Sequence, residues 1–179
     1  MDNPEAEIMD AIDLVAAAES AETQLASIEK YFTPDASFLH PLCYVPSSAQ
    51  SRARLAMIYQ CYRGFIPRTS FKYNAVAWNE KSGTLFVDLI QYPELRLLDW
   101  FVVPAVPMRI YLHLRKEDSK WRIDRQEDLI QPRSLLLCIP STRWWAILFW
   151  WVCQVMGIFF AHVFAVTGLW SPKRSLKHA

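Results

Sequence analysis

MRIYLHLRKEDSKWRIDRQED, residues 108–128, is the stretch on which the fold class turns. Over 108–115 the side chains alternate. Met108, Ile110, Leu112 and Leu114 fall on one side, and Arg109, Tyr111, His113 and Arg115 on the other. A period of two is that of a half-buried strand. Glu117, Asp118 and Ser119 form a turn, and 121–128 returns as the last strand. Upstream, 69–78 and 84–92 read as another hairpin around Asn79-Glu80-Lys81-Ser82-Gly83. Nearer the N-terminus the period lengthens to that of a helix. Ile8, Ile12 and Val15 mark a helix over 4–18, with Asn3 as its cap and Pro4 in its first turn. Leu25, Ile28 and Phe32 mark a second over 21–32, ended by Thr33-Pro34-Asp35; a short extended piece follows at 36–40. Leu55, Ile58, Tyr59 and Tyr62 mark a third over 48–65, closed by Gly64 and Pro67. Helices followed by strands predict an α+β domain: a cone-shaped, curved antiparallel sheet packed on three N-terminal helices, with a pocket between the two layers.

The C-terminal part obeys a different rule. From Trp144 to Leu169 there is no Asp, Glu, Lys or Arg. As a helix, at 1.5 Å per residue, this run is about 39 Å long, enough to cross a hydrocarbon layer of about 30 Å. Arg143 precedes it, and Lys173, Arg174, Lys177 and His178 follow. Trp144, Trp145, Trp150, Trp151 and Trp170 supply interfacial aromatics. A buried core helix of this length would carry a polar stripe, and none is present. The expected organisation is a folded domain at 1–132, a connector at 133–143, a transmembrane anchor at 144–170 and a basic tail at 171–179. A second apolar stretch, 95–107, contains Trp100, Phe101, Val102 and Val103. This tip either packs on the domain's own helices or dips into the bilayer.

Composition narrows the function. Three of the 19 basic residues lie beyond the anchor, leaving 16 against 18 acidic ones in the rest, a poor balance for nucleic acid. Cys43, Cys61, Cys138 and Cys153 have no metal-ligand spacing. There is no glycine-rich phosphate loop and no nucleotide or redox fingerprint, so neither cofactor nor metal is expected. The acidic N-terminus does not read as a secretory signal, which predicts a cytosolic domain and a single-pass protein. The endoplasmic reticulum is the expected membrane; a basic tail also suits a mitochondrial or peroxisomal one. Basic residues at both ends leave the orientation open.

Two local strings carry a resemblance. Tyr31-Phe32-Thr33-Pro34-Asp35-Ala36-Ser37-Phe38-Leu39-His40-Pro41 resembles the helix-to-strand junction of the nuclear-transport-factor-2-like superfamily, and Trp121-Arg122-Ile123-Asp124-Arg125-Gln126-Glu127-Asp128-Leu129 resembles its final strand. With the C-terminal hydrophobic segment, the chain is most similar to the fungal SigF-like branch, over roughly 3–169. The resemblance implies a cone with a lipophilic pocket, in a superfamily of SnoaL-type cyclases, isomerases, dehydratases and members that only bind or dimerise. It implies that Asp128 occupies the acid/base position of SnoaL-like cyclases, and that homodimers form through the outer sheet face.

Simple alternation from Trp121 and Ile123 places Glu127, not Asp128, on the inner face, unless a bulge reverses it. Both carboxylates are therefore catalytic candidates. The third is His40, at the end of a short strand, where an imidazole titrates near neutrality. Tyr31, Tyr59, Tyr62 and Tyr73 are candidate substrate contacts through their hydroxyls, and Asp88 is a carboxylate oddly placed between Phe86 and Ile90. His113 and Arg109 share the polar face of their strand and are expected outside the pocket. The expected function is a membrane-anchored enzyme without cofactor that cyclises, isomerises or dehydrates a lipophilic terpenoid or polyketide intermediate of fungal secondary metabolism, by proton transfer or by holding it in shape for a pericyclic step. The alternative is a non-catalytic module that binds a lipophilic ligand or scaffolds other enzymes at an internal membrane. A closed cavity with a buried carboxylate or His favours the enzyme; one filled by Phe and Trp favours the module.

Overall fold

The computed structural model describes residues 1–95 and 103–167. The helices α1 (Pro4–Ala16), α2 (Ala21–Tyr31) and α3 (Ser51–Phe65) cover one face of a six-stranded sheet. Its strands are β1 (Phe32–His40), β2 (Cys43–Val45), β3 (Arg68–Asn79), β4 (Thr84–Glu94), β5 (Val106–Glu117) and β6 (Lys120–Ile130), in spatial order β2-β1-β6-β5-β4-β3. Two helices follow, α4 (Pro132–Leu137) and α5 (Pro140–Thr167). Trp100, Phe101 and Val102 of the expected apolar tip lie outside the described residues.

The helices start where side chains can take up free backbone N–H groups. Asn3 Oδ1 accepts from Ala6 and Ser20 Oγ from Thr23. Ile8, Ala11 and Val15 form the buried stripe of α1. The buried side of α2 differs from expectation. Gln24, Ser27, Ile28 and Tyr31 face inward, and Leu25 is 41% exposed. The reason lies in Gln24, whose amide donates to the Val15 carbonyl at 2.7 Å and reaches that of Tyr59 at 3.5 Å. One polar side chain thus ties the end of α1 to α3, a stronger constraint in the interior than one more leucine.

The sheet departs from an all-antiparallel one at a single pair. β1 runs parallel to β6, while every other pair is antiparallel. No loop separates α2 from β1: the chain passes from Tyr31 straight into the strand, so Thr33, Pro34 and Asp35 belong to it. Pro34 falls between Phe32 and Ser37, where pairing with β6 is interrupted, so its missing N–H breaks no ladder bond. Bulges bend the strands around the helices. Asn74 is an extra residue in β3, between Tyr73 opposite Leu89 and Ala75 opposite Asp88. Asp124 is an extra residue in β6, between Ile123 opposite Leu114 and Arg125 opposite His113. Leu85, Val87, Leu89, Ile110, Leu112 and Leu114 form the inner face. Trp78 and Trp121 meet edge to face at 5.1 Å beside them.

Both hairpin turns demand positive φ, and they meet it with different residues. Gly83 has φ +64°, and a Cβ there would stand 2.5 Å from the Leu114 carbonyl oxygen. Asp118 and Ser119 take φ values of 50° and 66° with ordinary side chains. Gly83→Ala is expected to destabilise the domain by about 2 kcal/mol, and Ser119→Gly to stabilise it by about 1 kcal/mol. Denaturation of the detergent-solubilised full chain, side by side with wild type, checks both signs.

Candidate active site

A cavity of about 670 Å³ lies between the helices and the inner sheet face. Its walls are aliphatic and aromatic: α1 supplies Ile8 and Ile12, α3 supplies Ile58, and the sheet supplies Phe38, Ile110 and Leu112. Into this apolar space project a few polar groups. Among the described lining residues, Asp128 is the only carboxylate, His40 the only imidazole, and none is Lys or Arg.

The bulge at Asp124 brings Asp128 inside. Beyond it the alternation of β6 reverses, so Gln126, Asp128 and Ile130 share the cavity side with Ile123. Glu127 is turned the other way. It pairs with Arg125 and does not line the cavity. The extra residue faces outward too, where His113 Nδ1 lies 2.6 Å from Asp124 Oδ1. His113 is thus on the outer side, as its alternation predicts.

Asp128 sits in a short polar chain. Gln126 Nε2 donates to Asp128 Oδ1 at 2.8 Å and lies 3.0 Å from the Tyr59 hydroxyl, which reaches Gln126 Oε1 at 3.2 Å. Asp128 is half-buried and lines the apolar cavity wall, where a charge is poorly hydrated. Burial therefore pushes its carboxyl up to about 7, against the opposing hydrogen bond from Gln126. Burial also holds the Tyr59 hydroxyl well above the usual tyrosine range, with the nearby Asp128 adding to the effect, and raises Tyr62. Tyr62 meets the amide of Gln91, which is 3.3 Å from Thr69 Oγ1, so a second polar cluster lines the same cavity. His40 accepts the Leu42 N–H on Nδ1 at 3.1 Å, leaving the hydrogen of the neutral ring on Nε2. Burial lowers its pKa and keeps that neutral form dominant.

The eight expected site residues thus separate. His40, Asp128, Tyr31, Tyr59 and Tyr62 line the cavity. Glu127, Tyr73 and Asp88 do not. Tyr73 is drawn away by α1, donating to Asp13 Oδ1 at 2.9 Å and lying 3.1 Å from the Met9 carbonyl. Asp88 lies on the outer face, 3.4 Å from the Arg109 guanidinium and 3.1 Å from the Asn74 amide. Gln126 and Gln91 are polar lining residues that alternation did not point to, and Cys43 joins them from β2, a strand too short to leave a period. Among the described residues, no group of three His, Cys, Asp or Glu side chains is placed to hold a metal ion.

A family model described as the SigF NTF2-like domain matches residues 1–169. The chain belongs to this family. Solved structures share the fold of the SigF NTF2-like domain at low identity. One is a protein of ketosteroid isomerase-like fold from Catenulispora acidiphila in complex with trimethylamine (14% identity, 74% of this chain and 91% of that one, TM-score 0.55). Another, from Agrobacterium tumefaciens, is assigned as an isomerase of the SnoaL-like family (11% identity, 71% and 97%, TM-score 0.54). A third, from Novosphingobium aromaticivorans, is assigned as a scytalone dehydratase (13% identity, 71% and 80%, TM-score 0.52). No curated protein matches the sequence at significance. At these identities the structural likeness establishes the fold, and the chemistry rests on the site itself.

The raised carboxyl links stability to pH. Below about pH 4 the folded and unfolded chains both hold the Asp128 proton. Between about 4 and 7 only the folded chain holds it, so stability falls as pH rises, and above about 7 the loss is complete. The span corresponds to about 4 kcal/mol. Asp128→Asn cannot ionise, so its stability relative to wild type should rise by up to that amount between pH 4 and 8. Thermal melts of both detergent-solubilised full chains across this range check it; a flat difference would rule out the raised carboxyl.

Proposed function

We propose that this SigF NTF2-like protein is a membrane-anchored enzyme without cofactor. It cyclises, isomerises or dehydrates a lipophilic terpenoid or polyketide intermediate of fungal secondary metabolism. The observation that carries this reading is the placement of Asp128, the only carboxylate among the described lining residues, in a mainly apolar cavity of about 670 Å³, where burial pushes its carboxyl up to about 7. A group that titrates near the working pH passes protons in either direction at little cost. Protonated Asp128 gives its proton to an alkene or carbonyl of the bound molecule. The carboxylate then takes one back from a neighbouring carbon, leaving an isomer or a closed ring with no net change in protons. In a dehydration the oxygen leaves as water. Gln126 holds the carboxyl in place, and the Tyr62 hydroxyl and His40 Nε2 are the donors available to a developing oxyanion.

Two further observations favour an enzyme over a passive module: the cavity is not filled by its own aromatic side chains, and its carboxylate has no cationic partner among the described lining residues. α5 is the anchor in this reading. It is the one helix among the described residues long and apolar enough to cross a membrane, with a mean hydropathy of 1.9 over its most apolar window. None of that window is buried, which sets it apart from the core helix of a soluble protein. We place the domain on the cytosolic side of the endoplasmic reticulum.

Deletion of the gene in the source organism should abolish one metabolite and cause an unrearranged precursor to accumulate. Wild type should restore the product, and Asp128→Asn should restore about a hundredth of it or less, the usual range for loss of a general acid or base. Full restoration by Asp128→Asn would exclude proton transfer through this residue. An unchanged metabolite profile on deletion would exclude the biosynthetic role.

A further inference from the structure

We infer that the mouth of the cavity is itself a membrane-docking surface, seated on anionic lipid so that an apolar ligand enters from the acyl layer. The inference rests on reading α5 as an anchor and goes beyond it, because it assigns a lipid contact to the folded domain.

Four residues that line the cavity are also exposed: Leu42 at 70%, Phe65 at 61%, Ile139 at 43%, and Cys61. Met57, one turn before Cys61 on α3, is 68% exposed. Met57, Cys61 and Phe65 succeed each other at four-residue spacing, which makes one outward apolar stripe on a helix whose other side packs on the core. Apolar surface of this kind, gathered around an opening, marks a contact.

Two observations name the partner. The first is continuity with α5. Ile139 lines the cavity, and the next residue, Pro140, begins α5. Thr142 Oγ1 donates to the Leu136 carbonyl at 2.8 Å, fastening the start of α5 to α4, and Trp144 and Trp145 are exposed in its next turn. The mouth therefore lies at the end of the molecule from which the apolar helix leaves. The second is charge. Residues 36–79, which include Leu42 and all of α3, contain no Asp or Glu but carry Arg52, Arg54, Arg63, Arg68 and Lys72. No acidic residue follows Asp128 either, so the connector and α5 add only Arg133 and Arg143. Arg52 donates to the Glu29 and Phe32 carbonyls and Arg63 to those of Ala18 and Ile66, which leaves their charge unneutralised, while Arg68 faces Glu94 at 3.8 Å. An apolar stripe on a helix that carries arginines and no carboxylate of its own fits a surface of anionic headgroups. A soluble acidic protein would not supply the acyl layer that Leu42, Met57 and Phe65 call for.

The test uses the full chain reconstituted in vesicles of phosphatidylcholine with one quarter phosphatidylserine. Cys43, Cys138 and Cys153 are replaced by Ala, and Cys61 carries an environment-sensitive fluorophore. A Lys81→Cys label in a chain with all four native cysteines replaced reports on the distant β3–β4 turn. Lipid-borne doxyl groups should quench the Cys61 label at least threefold more than the Lys81→Cys label, and aqueous iodide should show the reverse order. Iodide access to Cys61 equal to that at Lys81→Cys, in a chain that still floats with the vesicles, would overturn the docking surface and leave the anchor intact. Protection from both quenchers would show that protein covers the rim, and would overturn it too. A chain that fails to float would overturn both readings. Should the substituted chain not fold, hydroxyl-radical oxidation of Met57 and Phe65 in the wild-type chain in the same vesicles decides. Oxidation of Phe65 at no more than a third of the rate of Phe86, 48% exposed on the outer sheet face of the same chain, supports the inference, and oxidation of Phe65 as fast as Phe86 overturns it.

Discussion

The extra residue in β6 is the constraint on which the site depends. A strand has a period of two, so one inserted residue exchanges the faces of everything beyond it. With Asp124 turned outward and held against His113 at 2.6 Å, Gln126 and Asp128 point into the cone and Glu127 away from it. Without the insertion the cavity would receive Glu127, and the Gln126–Tyr59 connection would be lost. The His113–Asp124 contact that accompanies the insertion thus lies on the opposite side of the sheet from the cavity.

Inside, the polar groups form two small clusters rather than a continuous wet surface. Gln126 joins Asp128 to Tyr59, and Gln91 joins Tyr62 to Thr69. Each glutamine satisfies neighbours that would otherwise be stranded in an apolar wall, where an unmet polar group costs about 1–3 kcal/mol. Asp128 alone lacks a charged partner among the described lining residues, and burial is the main cause of its shifted pKa. The same desolvation weakens the fold at neutral pH, so Asp128 is held in an environment that stability alone would not select.

Much of the architecture was legible in the sequence, because it depends on periodicity. The alternation at Met108–Leu114, the stripe through Ile8 and Val15, and the uncharged run after Arg143 each reflect a single physical rule, and each became the expected kind of element. The parallel pairing of β1 with β6 was not legible, since pairing direction leaves no mark on a nine-residue strand. Nor was the burial of Gln24 over Leu25, which a polarity rule assigns the wrong way round. At the site, Asp128 and His40 lay within reach because their residue types are conspicuous. Gln126 did not, because a neutral amide among Arg125, Glu127 and Asp128 looks like one more solvated side chain. Asp88 misled for the opposite reason: a carboxylate between apolar neighbours suggests a pocket, yet its strand simply turns that side toward Arg109 and solvent.

The absence of any Lys or Arg among the described lining residues has a consequence for what can be admitted. A ligand bearing a phosphate or an ionised carboxylate would bring its charge beside Asp128 in a medium of low polarizability, with no cation among those residues to meet it. Such a molecule loses its hydration there, and meets like charge as well whenever Asp128 is ionised. A neutral molecule suffers neither penalty. Among the described lining residues, then, nothing offsets the cost of an anionic group, and the wall favours a neutral molecule before shape is consulted.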